Sequence, residues 1–134
     1  MSEKMIKNIK NLTNKEILNI ANGINSLVSK SLPIYASYAL SKNIDILNKE
    51  IEDYNKAKNK LLDKYGKKDD SGKLVKSKRG EIVLGKPEEF NNEVNELLNI
   101  ENSLEVYVIK LENLGDNDFT PQEIISLKFM IEDY

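Results

Sequence analysis

Apolar residues recur along residues 33–65 at alternating steps of four and three. Leu40, Ile44, Leu47, Ile51, Tyr54, Leu61 and Tyr65 lie on this seam, and Lys58 is the one residue on it out of character. The spacing is a heptad repeat and predicts one long helix with a continuous apolar stripe. Such a helix runs roughly 50 Å at about 1.5 Å per residue. That exceeds what a compact domain of this size needs, so the stripe must be covered by other helices of the chain or by a second copy.

The remaining pattern is punctuated by capping and turn residues. Residues 1–12 read as a polar, frayed lead-in. Thr13-Asn14-Lys15-Glu16 is a capping box opening a helix with Ile17, Ile20, Ala21, Ile24, Leu27 and Val28 on one face. Gly23 either weakens that helix by about 1 kcal/mol relative to Ala or permits close packing. The helix ends near Lys30, because Pro33 disfavours helix at the residue before it. Pro33 suits the first turn of the long helix, and the two helices are expected to fold together as an αα-hairpin.

Gly66 after Tyr65 is a good stop for the long helix. Asp70-Ser71-Gly72 and Arg79-Gly80 are turn signals, and residues 73–76 and 81–84 read as the strands of a β-hairpin. Two short strands alone are marginal in water. Residues 104–111, rich in β-branched and aromatic side chains, supply the natural third strand. Between them, Lys86-Pro87-Glu88-Glu89 opens a helix with Phe90, Val94, Leu97 and Leu98 along one side. Thr120-Pro121-Gln122-Glu123 is the strongest local signal, a capping box with Pro at the first position. The helix after it presents Ile124, Ile125, Leu127, Met130 and Ile131. The sequence reads as having no internal repeats and no low-complexity linker. The order predicts an α+β, mainly helical fold: a long central helix, an N-terminal αα-hairpin, a small antiparallel sheet of a hairpin plus one strand, and two further helices.

The chain's 134 residues fit one domain. No apolar run approaches the roughly 18 residues of a membrane span, and the N-terminus has no apolar signal-peptide core. The sequence reads as that of a cytoplasmic protein. Cys and His are both absent, which excludes thiolate nucleophiles, disulfides, Cys/His zinc sites and histidine general bases. No catalytic residue is assigned, no cofactor or metal is expected, and the chain reads as non-enzymatic. Asp116, Asp118 and Glu123 lack the spacing of a calcium loop; loop solvation and capping explain them better. Arg79 is the only arginine while Lys, Asn and Ile are abundant, a usage for which the plain explanation is an AT-rich genome that favours those codons.

Charge changes the picture more. The net charge of −2 is distributed as +1 over residues 1–55, +7 over 56–79, zero over 80–86 and −10 over 87–134. Either the two regions face each other, or copies associate through complementary signs. The basic stretch is the one candidate for anion binding. Lys73, Lys76, Lys78 and Arg79, with Tyr65 for stacking, would suit a phosphate-bearing ligand; the alternative is a solvated lysine-rich face. The negative overall charge argues against general DNA coating. The long seam, with Lys58 tolerable at an inter-subunit edge, points to a homo-oligomer.

Several stretches carry a resemblance: Leu61-Leu62-Asp63-Lys64-Tyr65-Gly66, Lys68-Asp69-Asp70-Ser71-Gly72, Phe90-Asn91-Asn92-Glu93, Glu96-Leu97-Leu98, Glu105-Val106 and Thr120-Pro121-Gln122-Glu123-Ile124. In these the chain resembles small phage and prophage proteins of unknown function from low-GC Gram-positive hosts. The likeness covers residues 40–134 and carries no site residues with it. It implies a protein acting in an infected bacterial cytoplasm. One implied role counters host antiviral defence, by sequestering a nucleotide signal or masking a defence protein. The other is virion assembly, as a chaperone or tail accessory.

Overall fold

The computed structural model describes residues 5–132. The fold is α+β and mainly helical. In chain order it runs β1 (Ile6–Thr13), α1 (Asn14–Ile24), α2 (Ile34–Tyr65), α3 (Pro87–Leu98), β2 (Glu101–Val108) and α4 (Pro121–Leu127), with 3-10 turns at Leu111–Leu114 and Lys128–Met130. Contacts divide the chain into two compact units. Unit 1 holds residues 1–51 and 101–134, and unit 2 holds residues 52–100. Helix α2 contributes its first half to unit 1 and its second to unit 2.

Unit 1 is built on a two-stranded antiparallel sheet in which Ile6 faces Val108 and Thr13 faces Glu101. Residues 6–12 are therefore a strand and not a lead-in; the first four residues of that expectation lie outside the described ones. The reason is tertiary. Leu104, Val106 and Val108 alternate into the core, and β2 needs a neighbour for its backbone groups. That neighbour is β1 and not the hairpin of residues 73–84, so the expected three-stranded assembly does not form. The strand also starts three residues earlier than expected and ends at Val108; Ile109 then makes an isolated parallel bridge with Ile131.

Thr13 caps α1 as expected. Its hydroxyl accepts from the Glu16 amide at 3.1 Å, and the Glu16 carboxylate accepts from the Thr13 amide at 3.1 Å. The closest partner of α1 is α4, not the first half of α2. A Cβ built on Gly23 would lie 1.7 Å from Ser126 Oγ, so Gly23 is there for close approach. Beneath these helices, Ile17, Leu27, Ala36, Ala39, Leu47, Val106, Leu127 and Met130 belong to one buried cluster. Val28 and Ile125, expected on packed faces, are exposed. Helix α4 stops at Leu127 because the chain tightens into a 3-10 turn that delivers Ile131 to Ile109.

The α2 seam is core in part. Leu40 and Leu47 are buried in unit 1 and Tyr54 in unit 2, with Ile44, Ile51, Lys58, Leu61 and Tyr65 half-buried. Asn43 shares the buried side of α2 and is fully enclosed. Its Nδ2 donates to the Tyr107 carbonyl at 2.8 Å, and the Tyr107 amide donates to its Oδ1 at 2.8 Å. One side chain thus satisfies both backbone groups that Tyr107 turns away from β1, as a residue of a third strand would.

Unit 2 holds the second half of α2, a three-armed segment of residues 66–85, and α3. Phe90 and Tyr54 are its buried aromatics, and burial pushes the Tyr54 phenol up. Lys64 Nζ lies 3.4 Å from Glu93 Oε1.

Candidate anion-binding surface in unit 2

The expected hairpin is present, with an antiparallel bridge between Lys76 and Ile82. Its third arm comes from residues just after α2, through bridges Lys68–Leu74 and Gly66–Leu84. The three arms close on themselves. The Lys67 amide donates to the Val83 carbonyl at 2.7 Å, Val75 to Lys67 at 2.8 Å, and Val83 to Val75 at 2.9 Å. Outside that ring, Asp69 donates to Lys73 at 2.8 Å, Ser77 to Glu81 at 2.7 Å, and Gly85 to Tyr65 at 2.8 Å. Every equivalent position is eight residues from the next. The segment is an eight-residue repeat with approximate three-fold equivalence, which the sequence reading missed.

The two complete turns are built alike. Asp69 Oδ1 accepts from the amides of Ser71 at 2.9 Å and Lys73 at 3.0 Å. Ser77 Oγ accepts from the amides of Arg79 and Glu81, both at 3.3 Å. Gly72 and Gly80 follow with φ of 84° and 81°, where L side chains are strained. The Ser71 hydroxyl, which donates to Asp69 Oδ1 at 2.7 Å, and then the Lys73 and Ser71 amides hold the Asp69 carboxyl below the usual carboxylate range. The third corner stays open, because the chain enters there from α2 and leaves toward α3. The repeat is hard to see because equivalent positions need only the same backbone chemistry. Asp and Ser both cap a turn, so identity is low while geometry is kept.

Lys73, Lys76, Lys78 and Arg79 are all exposed, and Tyr65 is half-buried. They occupy different parts of the three-armed frame. Lys73 belongs to the first turn, Lys78 and Arg79 to the tip of the second, Lys76 to the arm between, and Tyr65 to the open corner. Bridged side chains share a face, so Lys76 and Lys68 lie on the side where Gly66, Leu74 and Ile82 meet. A Cβ on Gly66 would lie 2.5 Å from Leu74 Cδ2 and 3.1 Å from Ile82 Cγ2. Alternation along the arms puts Tyr65, Lys67 and Lys73 on the other side. Lys67 and Lys68, also within the basic stretch of residues 56–79, add a cation to each side. One face of Tyr65 already carries Lys64, 5.0 Å from the ring centroid. Tyr65 and then Glu93 raise the Lys64 pKa above the ordinary lysine value.

Residues 64–86 hold eight basic and three acidic side chains, yet unit 2 as a whole has eleven basic and ten acidic. The acids of α3 balance the lysines within the same unit. Among the described residues, no group of three His, Cys, Asp or Glu side chains is disposed to hold a metal ion. Nor is any helix there long and apolar enough to cross a membrane.

Unit 1 has its own clefts. One of about 320 Å³ brings Tyr35, Lys110, Asn113 and Glu132 together over Ile6 and Val108. A groove of about 260 Å³ runs along α2 past Leu40, Ile44 and Asp45. Glu123, expected to cap α4, does more. Its carboxylate accepts from the Thr120 amide at 2.9 Å and the Ser26 hydroxyl at 3.2 Å, and pairs with Lys30 Nζ at 3.4 Å. Lys30 also donates to the Asp118 carbonyl at 2.6 Å and lies 4.8 Å from the centroid of the Phe119 ring. No protein-family model, curated protein or solved structure matches the chain.

Proposed function

We propose that this is a non-enzymatic, phage-encoded binding protein that counters host antiviral defence, with the three-armed basic segment of unit 2 as its contact surface. The phage context rests on the sequence resemblance. The contact surface rests on one observation: exposed cations on a short, internally hydrogen-bonded frame, distributed over two corners, the intervening arms and two faces. Such a distribution disfavours a compact nucleotide, whose phosphates need several donors around one point. It suits an extended acidic surface, so masking a defence protein is favoured over sequestering a nucleotide signal.

The test is a plating assay on a host that carries a defence system, with the protein supplied in trans. Wild type restores plating of a sensitive phage; the Lys76→Glu, Lys78→Glu, Arg79→Glu variant, folded by circular dichroism, does not. Native mass spectrometry of the purified protein with a panel of cyclic nucleotides separates the two modes. A retained nucleotide would return the reading to signal sequestration. A salt-sensitive complex with a defence protein supports masking, since surface charge pairs are screened by salt. Recovery of the protein in purified virions would favour assembly instead.

A further inference from the structure

Strand β1 is an edge. Tyr107, opposite Lys7, turns its amide and carbonyl to Asn43. Lys7–Tyr107 is therefore a non-hydrogen-bonded pair, and the ladder to β2 runs through Ile6, Asn8, Lys10 and Leu12. The backbone groups of Lys7, Ile9 and Asn11 point the other way, and they meet no backbone partner among the described residues. Lys7, Asn8, Ile9 and Asn11 are exposed, Ile9 to 70%. An open edge of this kind is a template for another strand.

We propose that the occupant is β1 of a second copy, paired antiparallel about a two-fold axis at Ile9. The residues of the strand decide this. With Ile9 opposite the second copy's Ile9, Lys7 faces Asn11, Asn8 faces Lys10, and Ile6 faces Leu12. Each lysine meets an amide and each apolar residue meets an apolar one. Neighbouring registers do worse. A shift that centres on Lys7 or Lys10 sets lysine directly against lysine, and one that centres on Asn8 sets Lys7 against Ile9. Like charges directly opposite are destabilising, whereas matched cross-strand pairs stabilise by about 0.2–1 kcal/mol each. Edge lysines usually guard against such pairing. Here Lys7 is drawn onto its own sheet, with Glu105 at 3.6 Å and the Tyr107 ring centroid at 5.0 Å. The product is a four-stranded sheet, β2–β1–β1–β2, which also relieves the marginal stability of a two-stranded one.

The chain has no cysteine, so cross-linking can read the register directly. In the proposed pairing the two Ile9 Cα atoms are about 5.5 Å apart, within disulfide range. The two Asn8 Cα atoms are diagonal neighbours roughly 7–8 Å apart, beyond that range. Ile9→Cys is expected to form a disulfide-linked dimer under mild oxidation, and Asn8→Cys to stay a monomer. In sedimentation equilibrium the wild type shows a doubled mass over a micromolar-to-millimolar series. Ile9→Lys weakens that association by about tenfold or more, while circular dichroism stays unchanged because Lys at this position faces Glu105. Three outcomes would overturn the proposal: a wild type monomeric throughout, an Ile9→Lys protein that dimerises equally well, or equal cross-linking at positions 8 and 9.

Discussion

Asn43 shows how much one side chain can carry. A polar residue on the buried side of a helix costs stability unless both its amide groups are satisfied. Here both are, by the amide and carbonyl of one residue, Tyr107. Asn43→Leu would fit the apolar surroundings and still leave two buried backbone groups of β2 without partners. The expected loss is about 2–4 kcal/mol, read as a lower urea midpoint with an unchanged m-value. Asn43→Asp is a sharper control: it can still accept from the Tyr107 amide but sets an acceptor against the carbonyl. Nothing in the heptad pattern distinguishes Asn43 from the solvated asparagines around it, because its role depends on a strand 64 residues away.

Elements are joined by similarly specific contacts. Gly23 lies in the last turn of the amphipathic helix α1, where Ala would ordinarily gain up to about 1 kcal/mol. Against α4 the sign reverses, because the added methyl group would overlap the Ser126 side chain. Gly23→Ala is expected to destabilise by about 1–3 kcal/mol, the usual range for overpacking. Adding Ser126→Gly should recover part of the loss, so the double-mutant cycle reports strong coupling between the two sites. No coupling would mean that α1 and α4 are not in contact at Gly23. The three-armed segment makes the complementary point. Its turns were legible as Gly-containing signals, but the assembly of turns into a closed ring depends on hydrogen bonds between positions eight residues apart.

Across the whole molecule, unit 1 is made from two stretches of chain that unit 2 separates in sequence. The Lys30–Glu123 pair is one clasp between them, joining the end of the first helical region to the start of α4. The Thr120 amide first, then the Ser26 hydroxyl and Lys30, hold the Glu123 carboxyl below the ordinary glutamate range. A depressed carboxylate pKa contributes stability above the unfolded-state value of about 4.3 and loses it as pH falls through the folded value. Wild type should therefore exceed Glu123→Gln in urea midpoint at pH 7. The gap should close progressively below about pH 4.3. A gap that stays constant with pH would mean the ionised carboxylate contributes nothing. The charge asymmetry also resolves at this scale. Unit 2 is nearly neutral, while the remaining acids belong to unit 1.

By itself the sequence determined what depends on neighbours within a few residues. The extent of α2, both capping boxes, the Pro-initiated helices and the glycine turns were readable because capping, φ preference and helical periodicity act over three to seven residues. Tertiary structure alone decided what pairs with what. Residues 6–12 look polar and unstructured because a half-exposed edge strand needs few apolar side chains; only β2 makes a strand of them. The basic residues were recognisable as a group, yet their division among corners and faces comes from the eight-residue ring. Backbone hydrogen bonds set such pairings, and every non-proline residue carries the same backbone groups, so side-chain pattern constrains partner choice only weakly.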